Sequence, residues 1–166
     1  VSSGIQYITA IDDVELGKVS RVFEDKQGEE WVFSDKGVSI FGKRTISSYP
    51  FSMFETMDNL VFLASQNGRL AYYDVNTMQF NIVPFQEKIQ HINGIKVLKD
   101  NQLAVLSDKG LYLCRFPELA MEKYDFSLPG HDDAAVRKVY QDSKGFLWIF
   151  TGLPGIIRLD PETGVK

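Results

Sequence analysis

Residues 19–41, VSRVFEDKQGEEWVFSDKGVSIF, and residues 136–159, VRKVYQDSKGFLWIFTGLPGIIRL, carry Val, Val, an aromatic residue, Asp, Gly and Trp in the same order. Self-similarity at a fixed spacing constrains a fold more than any single element, because each copy must be one structural unit that buries its faces against its neighbours. Two weaker copies lie between, TMDNLVFLASQNGRLAYYD at 56–74 and VLKDNQLAVLSDKGLYLCRF at 97–116. The shared kernel is an apolar run, a hydroxyl residue, a turn and a glycine, at Ser34 and Gly37, Ser65 and Gly68, Ser107 and Gly110, and Thr151 and Gly155. Successive hydroxyl positions are 31, 42 and 44 residues apart, which brackets the length of a four-stranded blade.

Each copy describes the same device. A first strand, Val19 to Glu24 or Val136 to Gln141, runs into Asp-x-x-Gly (Asp25 and Gly28, Asp142 and Gly145). There the carboxylate can accept from its own backbone two residues on, and the glycine can take positive φ. The second strands, Trp31 to Ser34, Leu60 to Ser65, Leu103 to Ser107 and Leu147 to Thr151, are apolar at consecutive positions, as expected of strands covered on both faces. The Ser-x-x-Gly turns lead to third strands such as Gly37 to Phe41 and Leu111 to Phe116. Fainter fourth strands are expected at about Thr45 to Tyr49, Gln79 to Val83 and Met121 to Phe126, and another at Thr9 to Asp13.

No window of a dozen residues keeps helical apolar spacing; Pro117 to Lys123 is the best local candidate for a helical turn. The reading is therefore all-β: β-propeller blades of four antiparallel strands, about four of them, in an incomplete propeller. Residues 1–17 are read as the tail end of a preceding blade, with Ser3 to Ile8 as its third strand. Blades follow at 18–50, 51–88, 89–130 and 131–166, the last holding three strands, and all form one domain. An open arc would expose apolar blade faces and strand edges, so self-association as a homodimer is expected.

The pattern Val-x-x-Val-aromatic-x-Asp-x-x-Gly-x-x-Trp-apolar-apolar-Ser/Thr, then Gly, resembles the repeat of the two-component regulator propeller family. Val19, Val22, Phe23, Asp25, Gly28, Trp31, Ser34 and Gly37 match it, as do Val136, Val139, Tyr140, Asp142, Gly145, Trp148, Thr151 and Gly155. Arg158 to Gly164 resembles its blade-closing aspartate turn, whereas the middle copies carry Phe62 and Ala104 at the Trp position. The resemblance implies the periplasmic sensor region of hybrid histidine kinases of Bacteroides-like bacteria, with an oligosaccharide ligand.

The remaining features narrow the chemistry. Net charge is −4, with Lys and Arg scattered, so no footprint for nucleic acid is present. The apolar runs are far shorter than the roughly 20 residues a spanning helix needs, so no membrane contact is expected within this segment. The single Cys114 precludes an internal disulfide. No cofactor or metal is expected: His91 and the His131-Asp132-Asp133 cluster read as solvated loop residues, as does Asp12-Asp13. Asp25 and Asp142 are explained by their turns, and Trp31 and Trp148, at one strand position in two copies, by packing. No catalytic residue is assigned, although a catalytic propeller, like a purely structural one, stays open as an alternative. Arg69, Tyr72, Tyr73 and Arg115, which decorate third strands outside the repeat, are the ligand-binding candidates.

Overall fold

A computed structural model of the chain describes residues 8–11, 14–25, 28–42, 46–126 and 135–164. The chain falls into two compact units, Val1–Ser52 and Met53–Lys166. All described regular structure is strand, and every sheet is an antiparallel meander in which consecutive strands pair.

In the first unit β1 (Ala10–Ile11) pairs with β2 (Val14–Glu15). The next sheet is β3 (Val19–Glu24), β4 (Glu30–Ser34), β5 (Gly37–Phe41) and β6 (Ile46–Tyr49). The fourth strand expected over Thr9 to Asp13 is instead a short strand that turns back on itself; Asp12-Asp13 and Ser3 to Tyr7 lie outside the described residues. Apolar Ile11 and Val14 explain the reversal, since they pack on Leu16, Val32 and Phe41 and cover one face of the first blade.

The second unit holds three sheets. β7 (Met53–Met57), β8 (Leu60–Ser65), β9 (Arg69–Asp74) and β10 (Gln79–Val83) form the second blade. β11 (Ile92–Val97), β12 (Gln102–Ser107), β13 (Gly110–Arg115) and β14 (Ala120–Tyr124) form the third, and β15 (Val136–Gln141), β16 (Leu147–Thr151) and β17 (Ile157–Leu159) the fourth. Residues 117–119 form a turn, with a cis peptide at Phe116–Pro117, and strand resumes at Ala120, so no helical turn forms there. Within this unit the blades stack face to face. One core joins the second and third blades through Phe62, Leu70, Ile95, Leu103 and Val105; another joins the third and fourth through Leu106, Leu111, Val139, Leu147 and Ile149. Each such fully buried side chain contributes about 1.5–3 kcal/mol. Radially stacked meanders of this kind are β-propeller blades.

The repeat residues act as local clasps. Asp25 accepts from the Glu29 N–H at 3.0 Å and from the Trp31 indole at 3.0 Å. Asp142 accepts from the Lys144 and Phe146 N–H groups at 2.9 and 3.1 Å and from the Trp148 indole at 2.9 Å. Carboxylate and indole thus satisfy each other, which explains why they occur together. The middle blades close the same hairpin with left-handed Asp58, or with Asp100 and Asn101; lacking that carboxylate, they use Phe62 and Ala104.

The hydroxyl positions serve the next turn. Ser107, fully buried, donates to the Gly110 carbonyl at 2.9 Å and accepts from the Lys109 N–H at 3.0 Å. Ser34 accepts from the Lys36 N–H at 3.2 Å, Ser65 from the Arg69 N–H at 3.3 Å and Thr151 from the Leu153 N–H at 3.1 Å. Gly68 and Gly110 sit at positive φ, where a Cβ would lie 2.2 Å from the Ile89 oxygen and 2.3 Å from the Tyr124 oxygen. One expectation fails in the fourth blade: its second strand is not covered on both faces. Trp31 is fully buried, but Trp148 is half-buried, Phe150 is 39% exposed and Tyr140 60% exposed.

Candidate functional site

Third strands begin at the Ser-x-x-Gly turn and end at the opposite edge of the blade, which fixes where the four candidate residues fall. Arg69 begins β9 opposite Ser65, whereas Arg115 ends β13 opposite Gln102, so the two arginines stand at opposite ends of their strands. Tyr72 and Tyr73 alternate across β9. Tyr72 is half-buried with ring contacts to Phe62 and Phe116, at centroid distances of 6.4 and 5.7 Å, and Tyr73 is buried. Both contribute to packing, and exposed Arg69 lines none of the clefts described below. Arg115 is in a different position.

Register defines what Arg115 replaces. Counted back from the turn hydroxyl, Gln102 opposite Arg115 corresponds to Leu60 opposite Asp74 in the second blade. In the fourth, where Leu147 pairs with Leu159, the corresponding pair is Phe146 and Asp160. Both aspartates cap a turn: Asp74 accepts from the Asn59 amide at 2.7 Å and the Asn76 N–H at 2.9 Å, and Asp160 from the Glu162 N–H at 3.0 Å. Those hydrogen bonds hold both carboxyls below the usual carboxylate range, although desolvation opposes them, most strongly at Asp74. Arg115 has no capping role, and no hydrogen bond or ion pair holds its guanidinium among the described residues.

Arg115 lies on the face of the third blade that carries Leu111 and Leu113, the face packed on the fourth blade. At this end the seam opens into a cleft of about 380 Å³, with Asp100, Gln102 and Arg115 on one side and Gln141, Lys144 and Asp160 to Glu162 on the other. A recess of about 120 Å³ shares Gln102, Arg115 and Pro161. The walls are pinned. Gln141 accepts from the Lys99 N–H at 2.8 Å and donates to the Gly145 carbonyl at 3.3 Å, while the Lys99 ammonium donates to the Asp142 and Ser143 carbonyls at 3.3 and 3.2 Å. At the opposite end of these strands, Asn93 ties β11 to the Val136 carbonyl at 3.0 Å.

A second polar group was not foreseen from sequence. Glu87 accepts from the Tyr112 hydroxyl at 2.6 Å and pairs with Lys123 at 2.7 Å. Lys123 first, then Tyr112, lowers the Glu87 carboxyl, while burial and then Glu87 raise the Tyr112 phenol. This arrangement secures the loop after β10 to the third blade. The three residues are distant in sequence, and only the folded sheet brings them together.

The other chemistry-bearing residues are structural or lie outside the description. The His91 carbonyl accepts from the Asp108 N–H at 3.1 Å, and its own N–H donates to the Asp108 carboxylate at 3.2 Å, closing a loop. His131-Asp132-Asp133 lies outside the described residues. Among the described residues no three His, Cys, Asp or Glu side chains gather as a metal site, and no helix is long and apolar enough to cross a membrane.

No protein-family model matches this chain, and no curated protein does. Solved structures do share its fold. Virginiamycin B lyase from Staphylococcus aureus is similar at a TM-score of 0.61 and 13% identity over 87% of this chain and 53% of the lyase. The extracellular domain of a protein described as a one-component system from B. thetaiotaomicron gives a TM-score of 0.61 and 17% identity over 90% of this chain and 21% of that one. The extracellular domain of another, described as a hybrid two-component system from the same organism, gives 0.56 and 20% over 99% and 24%. The chain thus spans between about a fifth and about half of the length of these structures. At such identities the likeness establishes the β-propeller fold.

Proposed function

We propose that this β-propeller chain is a non-catalytic, extracytoplasmic signal-input segment of a hybrid two-component receptor, that the parent protein is a periplasm-facing histidine kinase, and that the segment responds to glycan fragments. Two kinds of observation support the reading. The fold is shared with extracellular domains described as one-component and hybrid two-component systems, and the repeat at Val19 to Gly37 and Val136 to Gly155 resembles that of two-component regulator propellers.

The observation that carries the non-catalytic part is the engagement of the repeated acids. Asp142 is held below the ordinary range, mainly by the Trp148 indole, with backbone N–H groups adding to it. Asp74 and Asp160 are likewise lowered and committed to turns. A general acid needs the opposite shift, toward working pH. The test is a thermal-shift screen of the chain against oligosaccharides, with product analysis of the same mixtures. A bound, uncleaved sugar raises Tm with concentration through linkage. Cleavage of the sugar overturns the non-catalytic reading in favour of an enzyme, and the absence of any stabilising sugar overturns the glycan response.

A specific observation favours association as well. Phe62 of the second blade and Ala104 and Leu106 of the third are buried against the following blade. The corresponding face of the fourth presents Trp148, with Phe150 39% and Tyr140 60% exposed. We infer that this face packs on a second copy of the chain, continuing the stacking pattern. Sedimentation equilibrium is expected to show a dimer that Tyr140→Glu weakens; a clean monomer at micromolar concentration removes this role.

A further inference from the structure

We infer that the cleft at the open end of the seam between the third and fourth blades binds a neutral, hydroxyl-rich ligand of mono- to disaccharide size, with Arg115 and Gln102 as its recognition pair. The inference rests on the sensor reading above only in calling the ligand a sugar; the site follows from departures from the repeat.

Three departures coincide there. The position that holds a turn-capping aspartate in the second and fourth blades holds Arg115 in the third. Its cross-strand partner changes from Leu60, which packs on the apolar core, to Gln102. Phe116, buried in the seam between the second and third blades, has Pro161 as its counterpart in the fourth, and Pro161 lines the cleft. Each change exchanges a group that closes the blade edge for one that leaves it open, and Arg115 and Gln102 make the opening polar. The turn and stacking roles that explain the repeated residues do not account for Arg115.

The lining selects the ligand chemistry. Guanidinium and amide groups of Arg115 and Gln102 supply donors, with a further acceptor from the amide, while Asp100 and Glu162 supply acceptors. Adjacent donors and acceptors match vicinal hydroxyls, each of which both gives and takes a hydrogen bond. Two cations, Arg115 and Lys144, face three carboxylates, Asp100, Asp160 and Glu162; this balance disfavours a strongly anionic ligand. A volume of about 380 Å³ lies at the small end of the range for ligand sites. The Lys99 and Gln141 hydrogen bonds fix both walls in advance, which lowers the ordering cost of binding.

The experiment is 1H–15N NMR titration of the chain with maltose, cellobiose, xylobiose and mannobiose, with inorganic phosphate as the anionic contrast. At least one disaccharide is expected to shift the amides of Gln102, Lys144 to Phe146 and Glu162, and phosphate is not. Losing a charge-assisted hydrogen bond in Arg115→Met should weaken that binding at least about tenfold. Gln102→Leu, which restores the residue type of the second blade, should weaken it too, with the remaining spectrum unchanged in both variants. Binding of phosphate in preference to every sugar overturns the ligand class, and no sugar response at these amides overturns the site. A sugar that binds equally well to Arg115→Met also overturns the site but leaves the sensor reading intact, whereas failure of that reading is registered separately, by the absence of stabilisation in the wider thermal-shift screen.

Discussion

The two seams of the second unit are built from the same repeat yet finish differently at one end. Between the second and third blades, Phe116 meets Phe62 edge-on at 4.6 Å and Tyr72 at 5.7 Å, with Leu60, Leu119 and Met121 packed around them. Between the third and fourth, Pro161 stands in place of Phe116, Gln102 in place of Leu60 and Arg115 in place of Asp74, and the end is an open cleft. Away from that end the seams are alike, with apolar residues from both sheets at full burial. Stacking therefore needs apolar side chains along the strands, while the last pair of positions is free to vary. That freedom is what lets a repeat scaffold carry a site.

The comparison is broken most directly by removing the plug. Phe116→Ala should cost about 3–5 kcal/mol, the range for a buried aromatic cut to alanine, read from the urea midpoint of the chain. Pro161→Ala, at an edge already open, should cost about 1 kcal/mol or less, largely through the unfolded state. Equal losses would mean that the two ends are closed to the same degree. Next comes Gly68→Ala, which forces positive φ on a residue whose Cβ would lie 2.2 Å from the Ile89 oxygen. Left-handed strain alone costs about 1–3 kcal/mol, whereas Gly155→Ala, with nothing within 4 Å of its Cβ, should lose only the strain part. A smaller effect is expected of Ser107→Ala, about 1–2 kcal/mol from two lost hydrogen bonds at a buried site.

These contrasts also mark what the sequence could and could not reveal. The second and third strands were legible because apolar runs ending in Ser-x-x-Gly encode both a covered strand and its turn. The first strands of the middle blades, β7 (Met53–Met57) and β11 (Ile92–Val97), were not, since both lack the Val-x-x-Val pattern of the terminal copies. β11 still shares the register shift that β3 and β15 carry near their start, at Ile92/Gly94, Val19/Arg21 and Val136/Lys138, whereas no shift occurs in β7. Of the candidate site, Arg115 was visible as a residue outside the repeat, but so were Arg69, Tyr72 and Tyr73. Only strand register aligns Arg115 with Asp74 and Asp160. The cleft depends on which faces meet across a seam, which a one-blade pattern does not encode, and the same holds for Glu87, Tyr112 and Lys123.

The least perturbing test concerns the clasp that distinguishes the terminal blades from the middle ones. Asp142 accepts from the Trp148 indole and two backbone N–H groups, so its folded pKa lies below the ordinary value near 4. A folded pKa below the unfolded one means that the unfolded chain binds more protons as pH falls past about 4. The resulting stabilisation is complete above that pH and is lost as pH drops through the folded value. Asp142→Asn keeps an acceptor oxygen but cannot titrate, so its stability should depend less on pH below about 4 than that of the parent chain, with near-identical midpoint shifts at pH 6 and 8. Trp148→Phe, which removes the largest of the hydrogen bonds that lower the Asp142 carboxyl, should flatten the acid limb of the stability curve in the same direction. If neither variant flattens that limb, the carboxylate–indole pair is not what couples the fourth blade to acid.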